Sequence, residues 1–341
     1  MAASTQSLAK LEPVDLRLIE DWQRDFPLQN RPFSVIGKAV KLTEDAVIRR
    51  YAALRRAGVI NRIGAVVAPN TLGASTLAAM AVPAERLDAV ADLVSAEPGV
   101  SHNYRRDNEM NLWFVVTGAD AQAVGAALAR IEAGNGLAVN DLRLVEAYHL
   151  DLGFALDGAI GSGPRPALRP PDLAAIKPGD REFVASIEKG LPLASRPFMP
   201  IAAVAGTTED AIIERLDALI HAAVISRFGV VVKHRALGYA TNAMAVWDIA
   251  DAETRRLGEA FAGEPGVTLC YSRRRTDAWR FNLYCMVHAR QRQDALAVIK
   301  RLNGIATTIA GVAPRDHAVL FSTRCFKQTG AKLSRDRGSA A

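Results

Sequence analysis

A short stretch of mixed chemistry, SHNYRRDNEMNLWF at residues 101–114, places an imidazole, a phenol and two guanidinium groups directly before an apolar run. Because strand side chains alternate between two faces, His102, Tyr104 and Arg106 are predicted to share one face. Histidine exchanges protons near neutral pH, and arginine binds carboxylates through paired hydrogen bonds. The row therefore predicts a site that binds an acidic ligand and handles a proton.

A second stretch, LCYSRRRTDAWRFNLY at residues 269–284, has the same form with different residues. Tyr271 and Arg273 repeat the tyrosine and the arginine, but Leu269 stands where the first stretch has its histidine. Only the first stretch is therefore expected to carry proton chemistry. The candidate substrate-binding residues of the two stretches are Arg105, Arg106, Trp113, Arg273, Arg274, Arg275, Trp279 and Arg280.

The two stretches belong to a longer internal repeat. RPF occurs at residues 31–33 and 196–198, and TEDA occurs at 43–46 and 208–211, with one offset of 165 residues. Later matches have offsets of 167 and 171 residues, as small insertions produce. The chain is thus predicted to hold two copies of one unit of roughly 150 residues.

Each copy has two parts with different periodicities. In the first part of copy one, a helical spacing of apolar residues runs from Leu16 to Phe26, and Thr43 is placed to cap a later helix. Three short helices and a strand predict a winged helix-turn-helix. The second part has the order strand, helix, strand, strand, helix, strand, which predicts a ferredoxin-like β-α-β-β-α-β domain.

The predicted fold is therefore α+β, with two tandem winged helix-turn-helix plus ferredoxin-like units that form a pseudo-dimer. Residues 158–180 are rich in Gly and Pro and are expected to be a linker without a packed element. The predicted domains are residues 1–69 and 181–234 for the winged helices, and residues 70–157 and 235–330 for the ferredoxin-like parts.

Charge and composition restrict the class of protein. The net charge of +6 and the pI of about 9.4 suit either nucleic acid or a small polyanion as a ligand. No apolar run approaches the roughly 20 residues of a membrane-spanning helix, and the start lacks a secretory pattern. Cys270, Cys285 and Cys325 are far apart and fit a reducing compartment. A cytoplasmic protein without membrane contact is expected.

A DNA-binding regulator would present cations on the third helix of both winged helices. The two copies differ at three of the four positions concerned, where copy one has arginine and copy two has an acidic residue, an apolar residue or histidine. These positions are Arg49, Arg50, Arg55 and Arg56 in copy one, and Glu214, Arg215, Ile220 and His221 in copy two. The difference favours winged helices kept for packing and pairing over DNA binding.

A winged helix joined to a ferredoxin-like domain resembles the Lrp/AsnC transcription regulators. HNYxR followed by NLWF, and CYxR followed by NLYxMVH, are more specific, and with them the chain resembles the siroheme decarboxylases. YHLDLGF at 148–154 and LFSTRCFK at 320–327 also resemble closing segments of that family. The resemblance covers nearly the whole chain and implies that two related subunits of the family are fused here.

This resemblance implies the loss of two acetate carboxylates of siroheme as carbon dioxide, on the route to the heme of nitrite reductase in denitrification. The arginines would bind carboxylates that are not consumed, and the tryptophans would lie against the macrocycle. Siroheme and its decarboxylated product are the expected partners, and the iron belongs to siroheme. No pyridoxal phosphate, flavin or protein-held metal is expected, since the sequence has no phosphate loop and no histidine pair at metal-ligand spacing.

The candidate catalytic residues are His102, as proton donor, and Tyr104, which would orient His102 or hydrogen-bond the acetate. His149 is a candidate for a second site group. Structural alternatives stay open: a satisfied strand histidine, a core tyrosine, core tryptophans, and arginines on a solvated rim or in salt bridges between the copies. The alternative function is an Lrp-like regulator that senses a tetrapyrrole or an amino acid, and further pairing of fused chains also stays open.

Overall fold

The computed structural model describes residues 11–150, 168–187, 189–310 and 316–329. Residues 158–167 of the predicted linker, and the predicted domain ends at 1–10, 151–157 and 330, lie outside the described residues.

The chain divides into two compact units, and each unit takes the equivalent part of both copies. The winged-helix unit holds the described residues up to Leu72 together with those from Arg169 to Gly238. The sheet unit holds the described residues of Gly73–Leu168 and Tyr239–Lys332. The two copies seen in the sequence therefore associate through equivalent parts, with the two winged helices in one unit and the two ferredoxin-like parts in the other.

Helices and strands follow the predicted order in both copies, which confirms the α+β fold. Copy one consists of α1 (Pro13–Glu20), α2 (Pro32–Val40), α3 (Glu44–Arg56), β1 (Ile60–Val67), β2 (Ala74–Met80), α4 (Leu87–Ala96), β3 (Val100–Arg106), β4 (Leu112–Gly118), α5 (Ala121–Asn135), β5 (Asn140–Leu142) and β6 (Leu144–Leu150). Copy two consists of α6 (Asp180–Ser186), α7 (Met199–Ala205), α8 (Glu209–His221), β7 (Ile225–Val232), β8 (Thr241–Trp247), α9 (Asp251–Ala262), β9 (Val267–Arg273), β10 (Leu283–Ala289), α10 (Arg292–Ala310) and β11 (His317–Gln328).

A local sequence signal explains where α3 begins in the winged-helix unit. The Thr43 hydroxyl accepts a hydrogen bond from the Ala46 N–H at 3.3 Å and caps α3. The apolar spacing from Leu16 to Phe26 predicts a longer first helix than the structure has, since α1 ends at Glu20. Phe26 is nevertheless buried, in a segment where Asp25 adopts a left-handed φ of 51°.

The two predicted wings pair with each other. Strands β1 and β7 run antiparallel, with Gly64 opposite Gly229. The backbone after α1 packs directly on this ribbon, since the Val230 N–H donates to the Trp22 carbonyl at 2.7 Å. A Cβ atom at Gly229 would collide with the carbonyl oxygens of Trp22 and Gln23, so this position requires glycine. The wing strands thus hold the two copies together within this unit.

The described part of the predicted linker is mostly exposed, but hydrogen bonds tether it to the fold. Leu173–Ala175 forms a single 3-10 turn. The Asp172 N–H donates to the Ala222 carbonyl at 2.8 Å, and the Arg215 guanidinium donates to the Ala175 carbonyl at 2.7 Å. These contacts attach the segment to the winged helix of copy two.

In the sheet unit, the described strands form a nine-stranded sheet in the order β5-β2-β4-β3-β11-β8-β10-β9-β6. The last strand predicted for copy one is divided into β5 and β6, and the two parts pair with different copies. Strand β6 pairs with β9 of copy two. Strand β11 pairs first with β8 of its own copy and then with β3 of copy one. This exchange of last strands builds the predicted pseudo-dimer within one chain.

Hydrophobic residues of the described sheet unit form cores on both faces of the sheet. Helices α4 and α5 cover a core of copy one around Phe114, and α9 and α10 cover a core of copy two around Phe261. A third core contains residues of both copies, among them Trp113, Tyr284 and Leu320. We call this third group the shared core, and it lies on the sheet faces that the helices do not cover.

Candidate functional site

The row predicted on β3 forms on the helix-free face of copy one. His102 pairs in register with Val115 of β4. Tyr104 pairs in register with Trp113 of β4. Trp113 belongs to the shared core, and Val115 packs against that core. The rings of His102 and Tyr104 stack with centroids 6.2 Å apart and 27° between their planes. Asn103 lies between them and points the other way, where its amide donates to a backbone carbonyl of α4 at 3.0 Å.

His102 is half-buried, and this position sets its protonation. Burial lowers the pKa of the His102 imidazole from its ordinary value of 6.5, because desolvation disfavours the charged form. Its Nδ1 lies 3.0 Å from the Ser101 hydroxyl oxygen. The imidazole is therefore mostly neutral at pH 7 in the chain without ligand, and nearby substrate carboxylates would raise its pKa again.

Arg106 and Arg273 occupy equivalent positions at the ends of β3 and β9. Nη1 of Arg106 donates to the Leu320 carbonyl at 3.0 Å, and Nη1 of Arg273 donates to the Leu142 carbonyl at 2.7 Å. The Arg273 guanidinium also lies 4.5 Å from the centre of the Tyr271 ring. Burial lowers the pKa of Arg106 to about 10, so the group stays cationic at neutral pH. Both Nε atoms are buried and have no hydrogen-bond partner among the described residues.

Arg275 is engaged by acceptors of copy two. Its guanidinium forms ion pairs with Asp248, at 2.8 Å, and with Asp251. It also donates to the carbonyl oxygens of Ile249 and Arg280. All three guanidinium nitrogens are used in these contacts, which disfavour substrate binding and lie within copy two rather than between the copies.

The other candidate arginines are exposed. Arg280 pairs with Asp316. The Arg274 guanidinium forms no hydrogen bond or ion pair with the described residues, so it is available to an external anion. Arg105 points away from the face of His102, on the helix side of β3, where it pairs in register with Arg324 of β11. The structure therefore separates Arg105 from the row.

The two candidate tryptophans pack against each other. Trp113 and Trp279 form an edge-to-face pair with ring centroids 5.1 Å apart. The Trp113 indole donates to the Met110 carbonyl at 2.6 Å, and the Trp279 indole donates to the Tyr284 hydroxyl at 2.9 Å. Trp113 is 1% exposed and Trp279 is 6% exposed, so both are members of the shared core rather than an open stacking surface.

His149 lies apart from the row. It is buried on β6 and pairs in register with Cys270 of β9. Cys270 belongs to the core under α9 and α10, which places His149 on the helix side of the sheet. The structure therefore does not bring His149 to the face that carries His102.

Two polar features of the helix-free faces were not predicted. Ser101 lies beside His102 because β3 contains a bulge. In copy two, His288 is buried with Nδ1 at 2.8 Å from the Thr268 hydroxyl and Nε2 at 3.0 Å from the Asn242 amide nitrogen. Strand alternation along NLYCMVH would have indicated the face of His288, whereas no sequence signal marked the bulge.

The third helices of the winged helices use arginine for internal ion pairs. Arg50 of α3 pairs with Asp15 at 2.9 Å and with Glu12 at 2.6 Å. Arg215 of α8 pairs with Asp180 at the equivalent place. These contacts hold helices together within each copy. Exposed arginines of α3 are Arg49, Arg55 and Arg56.

The described residues contain no group of three or more His, Cys, Asp or Glu side chains placed to hold a metal ion. None of the described helices is long and apolar enough to cross a membrane.

Protein families match both parts of the repeat. The AsnC-like ligand binding domain matches residues 71–149 and 236–327. The siroheme decarboxylase NirDL-like HTH domain matches residues 15–60 and 180–225. The matched ranges follow the two-part organisation of each copy.

Relatives match over nearly the full length of the chain. The siroheme decarboxylase NirDL subunit of Paracoccus denitrificans strain Pd 1222 is 45% identical, over 95% of this chain and 98% of that protein. The siroheme decarboxylase of Hydrogenobacter thermophilus strain TK-6 is 31% identical, over 93% of each chain. A crystal structure of the siroheme decarboxylase NirDL in co-complex with an iron-uroporphyrin III analogue is 26% identical and superposes with a TM-score of 0.67, over 94% of each chain. The chain therefore belongs to the siroheme decarboxylase family, with both related units of that family in one polypeptide.

Proposed function

We propose that the chain is a siroheme decarboxylase that removes two acetate carboxylates as carbon dioxide and gives didecarboxysiroheme, in the heme branch that serves nitrite reductase. The full-length similarity to proteins named siroheme decarboxylase supports this function. The observation in the chain itself that carries it is the row of His102, Tyr104 and Arg106. A half-buried imidazole on the same strand face as a buried cation suits a polyanionic, flat substrate that must take up protons.

Carboxylate binding is assigned to the arginines that keep a free donor. Siroheme carries eight carboxylates, and most of them are not consumed. Arg106 and Arg273 are cations with a buried Nε–H that lacks a partner among the described residues, and Arg274 is exposed. We assign these three residues to carboxylates that remain on the product. We assign Arg275 a structural role in holding the loop that carries Arg274, because it binds Asp248 and the Arg280 carbonyl within copy two.

The reaction at each acetate breaks one carbon–carbon bond. The carboxylate leaves as carbon dioxide, the bonding electron pair passes into the macrocycle, and the exocyclic carbon takes up one proton to become a methyl group. His102 is the group that delivers this proton, directly or through a water that it orients. Tyr104, stacked on His102, orients the imidazole or hydrogen-bonds the acetate.

The reacting carboxylate should lie away from the guanidinium groups. A cation next to it would stabilise the ground-state anion and raise the barrier to its loss. His102 and its register partner Val115 offer a less charged environment, because burial lowers the pKa of this imidazole and disfavours its charged form. In this proposal the arginines bind the substrate, and the histidine acts in the chemical step.

No organic cofactor enters this proposal. The macrocycle accepts the electron pair, which is the task that pyridoxal phosphate performs in other decarboxylases. The iron is part of the siroheme substrate. A cytoplasmic location is proposed with it, because the buried thiols of Cys270 and Cys285 lie 3.5 Å apart without a disulfide and fit a reducing compartment.

A transcription regulator is the second candidate function, and the winged helices are the observation that favours it. Exposed Arg49, Arg55 and Arg56 of α3 would serve phosphate contacts. Copy two lacks this charge, with Glu214 exposed on α8 at the place of Arg49. A two-fold DNA reader needs two equivalent recognition helices, so the difference favours the enzyme.

Anaerobic incubation of the purified chain with siroheme, followed by mass analysis of the tetrapyrrole, tests the proposal. Loss of two carbon dioxide units supports the enzyme. Unchanged siroheme together with tight, salt-dependent DNA binding would contradict the enzyme proposal and favour the transcription regulator.

A further inference from the structure

A bulge in β3 brings Ser101 to the same side as His102. Val100 pairs with Val116 and His102 pairs with Val115, so two residues of β3 advance against one of β4. Successive side chains of a regular strand would point to opposite faces, and a bulge removes that alternation locally. Ser101 is 3% exposed, and its hydroxyl oxygen lies 3.0 Å from Nδ1 of His102.

The direction of this hydrogen bond follows from the hydroxyl's single proton. Within the described residues, Nδ1 of His102 is the acceptor within reach of the Ser101 hydroxyl. If Nδ1 carried a proton, it would donate to Ser101, and the buried hydroxyl proton would be left without an acceptor. The satisfied arrangement has the Ser101 hydroxyl donating to Nδ1. The neutral imidazole of His102 then carries its proton on Nε2.

The equivalent hydroxyl in copy two, on Thr268, favours the opposite tautomer of its neighbouring histidine, His288. Thr268 occupies the place of Ser101, and its hydroxyl donates to the Met286 carbonyl at 3.0 Å. With its proton on the Met286 carbonyl, the Thr268 hydroxyl accepts from Nδ1–H of His288, at 2.8 Å. Nε2 of His288 then accepts from the Asn242 amide at 3.0 Å. Both ring nitrogens of this histidine are used inside the fold, which marks it as a structural group.

We infer that Ser101 is a positioning residue for decarboxylation: its hydroxyl holds His102 in the Nε2–H form, so that His102 presents a neutral N–H donor to the reacting acetate or to a water beside it. The catalytic part of this inference rests on the proposed function. A neutral donor orients a carboxylate with less ground-state stabilisation than a cation gives. The proton for the exocyclic carbon then comes from the oriented water, and the remaining hydroxide combines with the released carbon dioxide as bicarbonate.

Nitrogen-15 NMR of the histidine side chains tests the tautomer without any substrate. Loss of a signal in His102→Gln and in His288→Gln identifies the two rings. We expect a protonated Nε2 and an unprotonated, hydrogen-bonded Nδ1 for His102, and the reverse for His288. In Ser101→Ala, signals of the other His102 tautomer should appear, while Ser101→Thr should keep the parent pattern. A protonated Nδ1 on neutral His102 in the parent chain would overturn the inference.

Kinetics test the consequence for the reaction. Ser101→Ala should lower kcat by about 2- to 10-fold with little change in KM, as loss of one neutral hydrogen bond predicts, and Ser101→Thr should restore it. Ser95→Ala is the matched control, because its hydroxyl accepts from Asn103 on the helix side of β3 and does not touch His102. Parent kcat in Ser101→Ala would overturn the positioning role. The NMR result stands by itself if siroheme is not the substrate, so failure of the proposed function is seen separately.

Discussion

Arg106 and Arg273 form a reciprocal pair, in which each guanidinium donates a hydrogen bond to a backbone carbonyl of the opposite copy. Arg106 binds the Leu320 carbonyl and Arg273 binds the Leu142 carbonyl. Each copy thus fixes the cation of the other at the edge of the shared core. A ligand that contacts both guanidinium groups would therefore need both copies.

Replacing Arg273 with Ala should mainly weaken siroheme binding. A charge-assisted contact is worth about 1.5–3 kcal/mol, or about 10- to 150-fold in Kd, and it acts on ground state and transition state alike. Anaerobic absorbance titration measures Kd. Arg301→Ala is the control, because Arg301 pairs with Glu264 on the helix side and changes the net charge equally. Parent affinity in Arg273→Ala would show that this arginine does not bind substrate.

Replacing Arg275 with Ala should act on stability instead. Asp248 and Asp251 would lose their common partner, and we expect the free energy of unfolding to fall by about 1–3 kcal/mol. Urea unfolding measures this change, and siroheme titration should give nearly the parent Kd. A variant that unfolds like the parent but fails to bind siroheme would restore Arg275 to the substrate-binding residues.

Exchange of the last strands can be tested at a close contact between the copies. Tyr148 of β6 lies against Gly258 of α9, where a Cβ atom would collide with the phenol ring. Gly258→Ala should therefore lower the free energy of unfolding by about 1–3 kcal/mol. Gly125→Ala on α5 meets open space and should not destabilise. Equal effects of the two substitutions in thermal unfolding would contradict the exchanged arrangement.

Burial of His102 predicts a pH dependence of stability. Its folded-state pKa is lowered from the ordinary value of 6.5, so the unfolded chain binds this proton first as the pH falls. The folded state therefore loses stability below about pH 6.5, down to the folded-state pKa of this group. His102→Gln should lose less stability than the parent between about pH 7 and pH 5.5 in urea titrations. Identical losses in both chains would show that His102 titrates normally.

The sequence predicted the repeat, the α+β fold and the common face of His102, Tyr104 and Arg106, because these depend on local periodicity and strand alternation. It did not predict the bulge at Ser101, since a one-residue irregularity leaves the strand pattern of VSHNYRR unchanged. Strand alternation alone would have placed Ser101 on the opposite face from His102.

Long-range partners were the other part that local patterns could not supply. Sequence pattern did not distinguish the three consecutive arginines in copy two, but Arg275 binds Asp248, which is 27 residues away in sequence. Trp113 and Trp279 looked like a stacking surface, yet they pack on each other because the shared core joins the two copies. The end of α1 at Glu20 likewise depends on packing of the following segment on the wing ribbon.

The most direct measurement is siroheme decarboxylation by the parent chain and by His102→Ala, under anaerobic conditions, with mass analysis and binding measured in parallel. The parent should release two carbon dioxide units per siroheme, and His102→Ala should bind siroheme but react about 10²- to 10⁴-fold more slowly. Histidine placed at Leu269 should not restore the rate. His102→Ala turning over at the parent rate would contradict the assignment of the chemistry to this histidine.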